Sequence, residues 1–123
     1  RLVGTLQLPA SAATSEGNSS NTSPFGGTSG QRFQSVYGAP LLTALPNGAT
    51  ITGIRLRLDG DAASFKQETV ANVEIRLSTS KKPPGSLSQT FADNRGTDEV
   101  IVRAGPLSIA PGDYPAGTKP NAQ

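Results

Sequence analysis

The densest group of side chains that could bind a metal ion lies in the sequence DNRGTDE, at residues 93–99. Asp93, Asn94, Asp98 and Glu99 place four oxygen-bearing side chains within this short stretch. A hard cation such as Ca²⁺ takes roughly six to eight oxygen ligands, so these side chains are calcium candidates. Their spacing does not match the calcium loop of an EF-hand. Asp, Asn and Gly are also the residues that tight turns prefer, so the sequence favours a hairpin turn here and keeps a calcium site as the alternative.

The residue types that are absent narrow the chemistry further. The chain contains no His and no Cys. Catalytic arrangements of the Ser-His-Asp and Cys-His kinds are therefore impossible, and typical zinc or copper sites lose their usual ligands. A pair of carboxylates could still hydrolyse a glycosidic bond, but none of the acidic residues stands in an apolar stretch that would raise its pKa. We predict that the chain is not an enzyme and holds no cofactor, apart from the calcium alternative.

A second group of candidate residues is aromatic. Sugar-binding modules stack sugar rings on aromatic side chains, and the chain has few of these and no Trp. The aromatic residues nearest to loops are Phe25, Phe33, Tyr37 and Tyr114. They are the candidate stacking platform if the chain is a carbohydrate-binding module, which is the alternative to our main functional prediction.

The elements that must position these residues are predicted to be strands. Gly 14 and Pro 10 supply many turns, and apolar residues alternate with polar ones, as in the sequence VEIRL at residues 73–77. Such alternation is typical of strands with one buried face. It predicts strands at residues 2–8, 33–37, 54–58, 73–77, 99–103 and 107–109, with the unbroken apolar run at 100–102 buried on both faces. The fold class predicted is all-β: a mostly antiparallel, jelly-roll-like β-sandwich with long polar loops and little or no helix, where residues 63–71 alone have some helical character.

The length of the chain predicts one domain. A chain of 123 residues has the size of a single small domain, so we assign residues 1–123 to one β-sandwich. Residues 11–31 consist almost entirely of Ser, Thr, Asn, Gly and Ala, which predicts a long polar loop. Residues 111–123 hold three prolines and few apolar residues, which predicts an extended tail.

The charge balance bears on the class of partner. Lys and Arg number 11 against 9 Asp and Glu, and the basic residues are dispersed along the chain. Nucleic-acid binders usually cluster basic residues on one face, so we predict no nucleic-acid partner. No apolar run approaches the length of a membrane span, so we expect no direct membrane crossing. Other proteins remain as the expected partners, in a membrane-associated complex or in a homo-assembly, with polysaccharide as the alternative.

Several short sequence motifs, here called words, occur together in the order typical of one family. The chain resembles the exported bacterial β-sandwich domain found in proteins that carry PEP-CTERM-type sorting tails. The words that carry the resemblance are EGNSSNTSPF at 16–25, RFQSVYGAPLL at 32–42, ITGIRLRLDG at 51–60, VEIRLSTS at 73–80 and LSQTFADNRGTDEVIV at 87–102, followed by GPLSI. Each word is weak alone, and the resemblance rests on their order across most of the chain.

The resemblance implies a compartment and a way of working. It implies an exported protein, located in the periplasm, on the cell surface or outside a bacterial cell, without a catalytic role. In the family pattern, strands with a PF-x-Y-x-P word and a G-x-LLLD-like word follow the position of Gln123. We therefore expect the domain to be incomplete at its C-terminal end. The function predicted is that of a structural and interaction module, an accessory subunit docked on a larger envelope or membrane-associated assembly through its sheet edges and loops.

Overall fold

The computed structural model describes residues 4–13, 29–56 and 64–113. Within these ranges the regular structure is mostly strand, with almost no helix. The strands are β1 (Ser64–Phe65), β2 (Glu68–Leu77), β3 (Val100–Ile109) and β4 (Gly112–Asp113). One four-residue helix, α1 (Phe91–Asn94), and two short 3₁₀ turns, Ala10–Ala13 and Ala39–Leu42, complete the elements. The coarse prediction of a strand-dominated chain is confirmed for the part described.

The chain divides into two compact units, and the predicted site residues that the structure describes lie in the second. Among the described residues, one unit contains 4–13, 39–56, 64–65 and 112–113, and the other contains 29–38 and 66–111. In the first unit β1 pairs antiparallel with β4. In the second unit β2 pairs antiparallel with β3 along nearly their whole length. The second unit therefore carries the candidate calcium residues and two of the candidate aromatic residues.

The β2–β3 ribbon follows from the alternation of apolar and polar residues. Val73 is 9% exposed, and Ile75 and Leu77 are half-buried, while Glu74 between them is exposed. Residues that pair directly in an antiparallel ladder share a face, so Val70 opposite Leu107 extends the same apolar side. Complete burial of a side chain such as Val contributes about 1.5–3 kcal/mol. This face is the centre of what the second unit buries.

Two irregularities twist the ribbon. The register shifts between Val70 and Val73, where β2 has one extra residue, and again between Ile75 and Arg76, where β3 has one. Bulges of this kind bend a strand and re-aim its side chains. As a result, the two ends of the ribbon present different combinations of side chains to solvent.

Two turns predicted from proline and glycine are present. In the sequence PNG the amide of Ala49 donates to the carbonyl of Pro46 at 3.0 Å, and in PPG the amide of Ser86 donates to the carbonyl of Pro83 at 3.2 Å. Gly48 and Gly85 have φ of 77° and 84°, a conformation that costs glycine little. Both glycine-containing turns were therefore readable from sequence.

Several finer predictions differ from the structure. Residues 4–8, 33–37 and 51–56 form no strand, although residues 54–56 alternate as clearly as 73–77. Residues 57 and 58, like residues 2 and 3, lie outside the described residues. Residues 68–71 belong to β2 rather than to a helix, because pairing with β3 outweighs a weak local helical preference. The predicted strands at 99–103 and 107–109 are one continuous strand, β3, and the prediction that the run at 100–102 is buried on both faces is wrong, because all three side chains are exposed.

The remaining domain assignments concern segments that the structure describes only in part. Of the predicted polar loop at 11–31, residues 14–28 lie outside the described residues, and so do residues 114–123 of the predicted tail. The described part of the loop begins with the end of the first 3₁₀ turn and resumes at Ser29. The single-domain assignment of 1–123 stays a prediction.

Candidate functional site

The four candidate calcium residues lie on the connection between β2 and β3. This connection begins at Ser78 and ends at Glu99, and α1 lies within it. Its base is closed by backbone bonds: the amide of Lys81 donates to the carbonyl of Asn94 at 2.9 Å, and the amide of Gly96 donates to the carbonyl of Thr79 at 2.8 Å. Ser80 and Arg95 consequently pair as an isolated antiparallel bridge. Residues 80–95 form a closed loop, to which we refer as the Asn94 loop.

Asn94 is the most buried side chain among the residues described, with 2% of its surface exposed. Its Oδ1 accepts a hydrogen bond from the backbone amide of Ser88 at 2.8 Å. Its Nδ2 donates to the carbonyl of Ser88 at 2.9 Å and to Oε1 of Gln34 at 2.8 Å. Buried polar groups need such partners, because an unmade hydrogen bond leaves the desolvation penalty uncompensated. The geometry therefore assigns Asn94 to the centre of the loop, where it holds the backbone at Ser88.

Asp98 binds Thr79, two residues after the end of β2, at the base of the loop. Its carboxylate accepts from the backbone amide of Thr79, at 3.0 Å to Oδ1 and 3.2 Å to Oδ2, and from the Thr79 hydroxyl at 2.8 Å. The hydrogen bond from the Thr79 side chain is the main cause that lowers the pKa of Asp98, with desolvation opposing it. The carboxylate is thus stabilised in its ionised form.

Gly96 makes this close approach of Asp98 and Thr79 feasible. A Cβ added at Gly96 would lie 2.8 Å from the Thr79 carbonyl oxygen and in still closer contact with Oδ1 of Asp98 and Oγ1 of Thr79. Real Cβ atoms do not come that near to a backbone oxygen. Glycine is therefore required here because the space is occupied.

Glu99 belongs to a chain of ion pairs on the polar face of the ribbon. Its Oε1 accepts from Nη1 of Arg76 at 2.6 Å and from Nη1 of Arg95 at 2.8 Å, and Arg76 also donates through Nε to Oε1 of Glu74 at 2.6 Å. The hydrogen bond from Arg76 is the first cause that lowers the pKa of both Glu74 and Glu99. Arg76, held between two carboxylates, has its pKa raised for the same reason. These pairs, of which Arg95–Glu99 is half-buried and Arg76–Glu74 is exposed, order the end of the ribbon, and an exposed pair contributes little stability in water.

The four candidate residues therefore share a region but not a common centre. Asp93 accepts from the Ser88 hydroxyl at 2.9 Å, while Asn94, Asp98 and Glu99 each have the separate partners given above. Among the described residues there is no group of three or more His, Cys, Asp or Glu side chains placed to hold a metal ion. The calcium site stays a prediction, and in this arrangement the same oxygens organise the loop.

Sequence reasoning did not identify two residues that support this loop. Gln34 bonds Asn94 and also donates to the carbonyl of Phe91 at 3.5 Å, and the guanidinium carbon of Arg32 lies 5.1 Å from the centre of the Phe91 ring. These contacts join positions about 60 residues apart in the chain. No local pattern signals them, because residues 32–34 resemble a strand in sequence.

The candidate aromatic residues are placed in part. Phe33 and Tyr37 are 56% and 51% exposed, so both rings are open to solvent on the second unit. Phe25 and Tyr114 lie outside the described residues. The stacking platform of four rings consequently stays a prediction, with two exposed members.

Two further searches concern membranes and relatives. In the described ranges no helix has the length and apolar character needed to cross a bilayer. Comparison of the chain with protein-family models, with curated proteins and with solved structures finds no match. The resemblance to the exported β-sandwich domain is therefore carried by the sequence words alone.

Proposed function

We propose that the chain is a non-catalytic structural and interaction module with a jelly-roll-like β-sandwich fold. In this proposal it is exported by a bacterium and serves as an accessory subunit of a larger envelope or membrane-associated assembly, docking through sheet edges and loops. The compartment rests on the resemblance of the sequence words, and the way of working rests on the surface of β3.

One observation carries the proposal: the apolar run at the start of β3 is exposed. Val100, Ile101 and Val102 are 55%, 53% and 48% exposed. Val100 pairs with Leu77 on the apolar side of the ribbon, whereas Ile101 pairs with Arg76 on the charged side. A β-sandwich covers one such face with a second sheet, and these three side chains, exposed on both faces of β3, offer apolar surface for contact with another molecule.

The electrostatics of the ribbon support a structural role for its acidic residues. Hydrogen bonds lower the pKa values of Glu74, Asp98 and Glu99. These carboxyl groups are therefore ionised at neutral pH, whereas a general acid needs a raised pKa. Their partners are side chains and backbone groups of the same ribbon, which favours a role in shaping the surface.

The proposal is tested by comparing two matched variants of the full chain as baits in bacterial envelope extracts. Ile101→Thr removes apolar surface from β3 but keeps a β-branched side chain, and Ile54→Thr makes the same change at an isoleucine that is also 53% exposed. We expect wild type and Ile54→Thr to retain the same envelope proteins and Ile101→Thr to lose them. Equal retention by both variants would contradict a docking role for β3.

A carbohydrate-binding module is the second candidate, and the exposure of Phe33 and Tyr37 favours it. An exposed aromatic ring can stack on the apolar face of a sugar ring, while its edges stay in water. In affinity electrophoresis through polysaccharide gels, this candidate predicts retardation of the wild type that Phe33→Ala or Tyr37→Ala abolishes. Leu41→Ala, at an exposed apolar residue without a ring, is the control and should leave the retardation unchanged. Migration of the wild type that does not depend on polysaccharide would remove this candidate.

A further inference from the structure

The two outer edges of the β2–β3 ribbon differ in their capacity to accept another strand. On β3, Gly105 has φ 113°, and the next residue, Pro106, has no N–H to donate. The carbonyl of Pro106 already accepts from Nη2 of Arg103 at 2.8 Å. This edge is interrupted in its middle, as edges that must not pair usually are.

The outer edge of β2 has one irregularity, the bulge between Val70 and Val73, and no register shift lies between Val73 and Ile75. Glu68–Leu77 contains neither glycine nor proline, and within the described part of the chain β3 is its one strand partner. A strand edge without a strand partner is a template for a further strand. If the sheet is extended, β2 is therefore the edge at which the new strand adds.

The sequence of β2 suggests which strand this is. Residues 73–77 read Val-Glu-Ile-Arg-Leu, a pattern that is complementary to itself when reversed. In an antiparallel pair with Ile75 opposite Ile75 of a second copy, each Glu74 stands opposite an Arg76, and Val73 stands opposite Leu77. Opposite charges and apolar pairs in direct cross-strand positions both favour pairing.

Neighbouring registers lose this match. A pairing centred on Val73 or on Leu77 also keeps the apolar residues on one side. In these two registers, however, Glu74 of one copy no longer stands opposite Arg76 of the other. A slip by a single residue in the pairing brings apolar and charged faces together. Arg76 and Glu74 already form an ion pair within one copy, and they remain 39% and 49% exposed, so the pairs between copies would add to this charge network.

We propose that a second copy of this chain pairs antiparallel with β2 in this register, with a two-fold axis at Ile75. The proposal deepens the interaction role proposed above and rests on it, because it names one partner for one sheet edge. Because β3 offers an interrupted edge, each β2–β3 ribbon, as the structure describes it, has one usable edge, so pairing through this edge gives a closed dimer instead of a fibre. The competing occupants of the edge are residues 54–58 of the same chain, with their alternating Ile, Leu and Arg, and a different protein.

The absence of Cys from the sequence makes the test direct, because a single introduced cysteine can form a disulfide only between two copies. Ile75→Cys would place two thiols in directly opposed positions, where the Cα separation of about 4.5–5.5 Å suits a disulfide. Asn72→Cys is the matched control at an exposed position on the same strand. In the proposed register the two residues 72 lie six positions apart along the strands, about 20 Å, which is too far for a disulfide.

We expect mild oxidation of the full chain to convert most Ile75→Cys protein into a covalent dimer while Asn72→Cys stays monomeric. Wild type and reduced Ile75→Cys should both sediment as dimers at micromolar concentration, which shows that the substitution itself leaves pairing intact. Sedimentation of the wild type as a monomer, or equal cross-linking at both positions, would overturn the proposal. The bait experiment separates this proposal from the interaction role on which it rests. If self-pairing fails, but Ile101→Thr still loses envelope proteins that Ile54→Thr retains, the proposed interaction role stands.

Discussion

The Asn94 loop and the start of β3 are neighbours in the chain and opposites in their chemistry. In the loop, a polar side chain with 2% exposure has hydrogen-bond partners for both its amide oxygen and its amide nitrogen. At the start of β3, three consecutive apolar side chains remain about half exposed. The loop satisfies its own requirements, whereas β3 presents surface whose burial requires another layer or another molecule. The difference separates the part of this unit that maintains structure from the part available for contact.

The largest expected effect is on the loop. Asn94→Ala removes three hydrogen bonds and leaves the amide and carbonyl of Ser88 without these partners. We expect the free energy of unfolding to fall by about 3 kcal/mol, measured by urea denaturation followed by circular dichroism. Gln34→Ala removes one of the three bonds and should cost less, about 1 kcal/mol. Equal losses for the two variants would contradict the central place of Asn94.

The next effect concerns the crowded base of the loop. Gly96→Ala would push a methyl group against the Thr79 carbonyl and the Asp98 carboxylate, so we expect a loss of about 1–3 kcal/mol. Gly53→Ala is the control, because nothing lies within 4 Å of a Cβ at that position. Its effect should stay within about 0.5 kcal/mol. Similar melting temperatures for both variants would show that the loop base is not packed as described.

A smaller effect is expected from the ion pairs, and it depends on pH. Folding lowers the pKa of Glu99 from its usual 4.5, so the unfolded chain binds the proton more readily than the folded one. The stabilisation is therefore fully present above about pH 5 and is lost as the pH falls through the lowered pKa of the folded state. Urea midpoints measured from pH 7 to pH 2 should fall less steeply for Glu99→Gln than for wild type. Parallel pH profiles for the two proteins would exclude Glu99 as a source of acid sensitivity.

Particular residues show how far sequence reasoning reaches. The alternation at 73–77 predicted β2 correctly, because one buried face leaves a period of two in the sequence. The same alternation at 54–56 predicted a strand that the described residues do not form. Alternation of apolar and polar residues indicates that one face is suited to burial, but it does not indicate which element would cover that face. The stretch 93–99 was predicted to be a hairpin turn: residues 97–98 do form a turn, whereas residues 93–94 belong to α1, where Asn94 is buried.

Some residues of the candidate site are close together in the sequence, and others are brought together only by folding. Asp98 and Glu99 were identified because Asp, Asn and Glu cluster in the chain. Gln34 was not, because its contact with Asn94 spans 60 residues and depends on how the second unit folds. Neither the partners of the acidic residues nor the downward direction of their pKa shifts could be read from sequence, since both follow from Arg76 and Thr79 across the ribbon.

In the function proposed here, the start of β3 is a contact surface and not part of the chain's own core. The most direct test is the free energy of unfolding of Ile101→Thr in the dilute, isolated chain. We predict a change within about 0.5 kcal/mol of wild type, the range typical of surface substitutions. A loss of about 2 kcal/mol or more, the size expected for truncating a buried apolar side chain, would place Ile101 inside the core and contradict the claim.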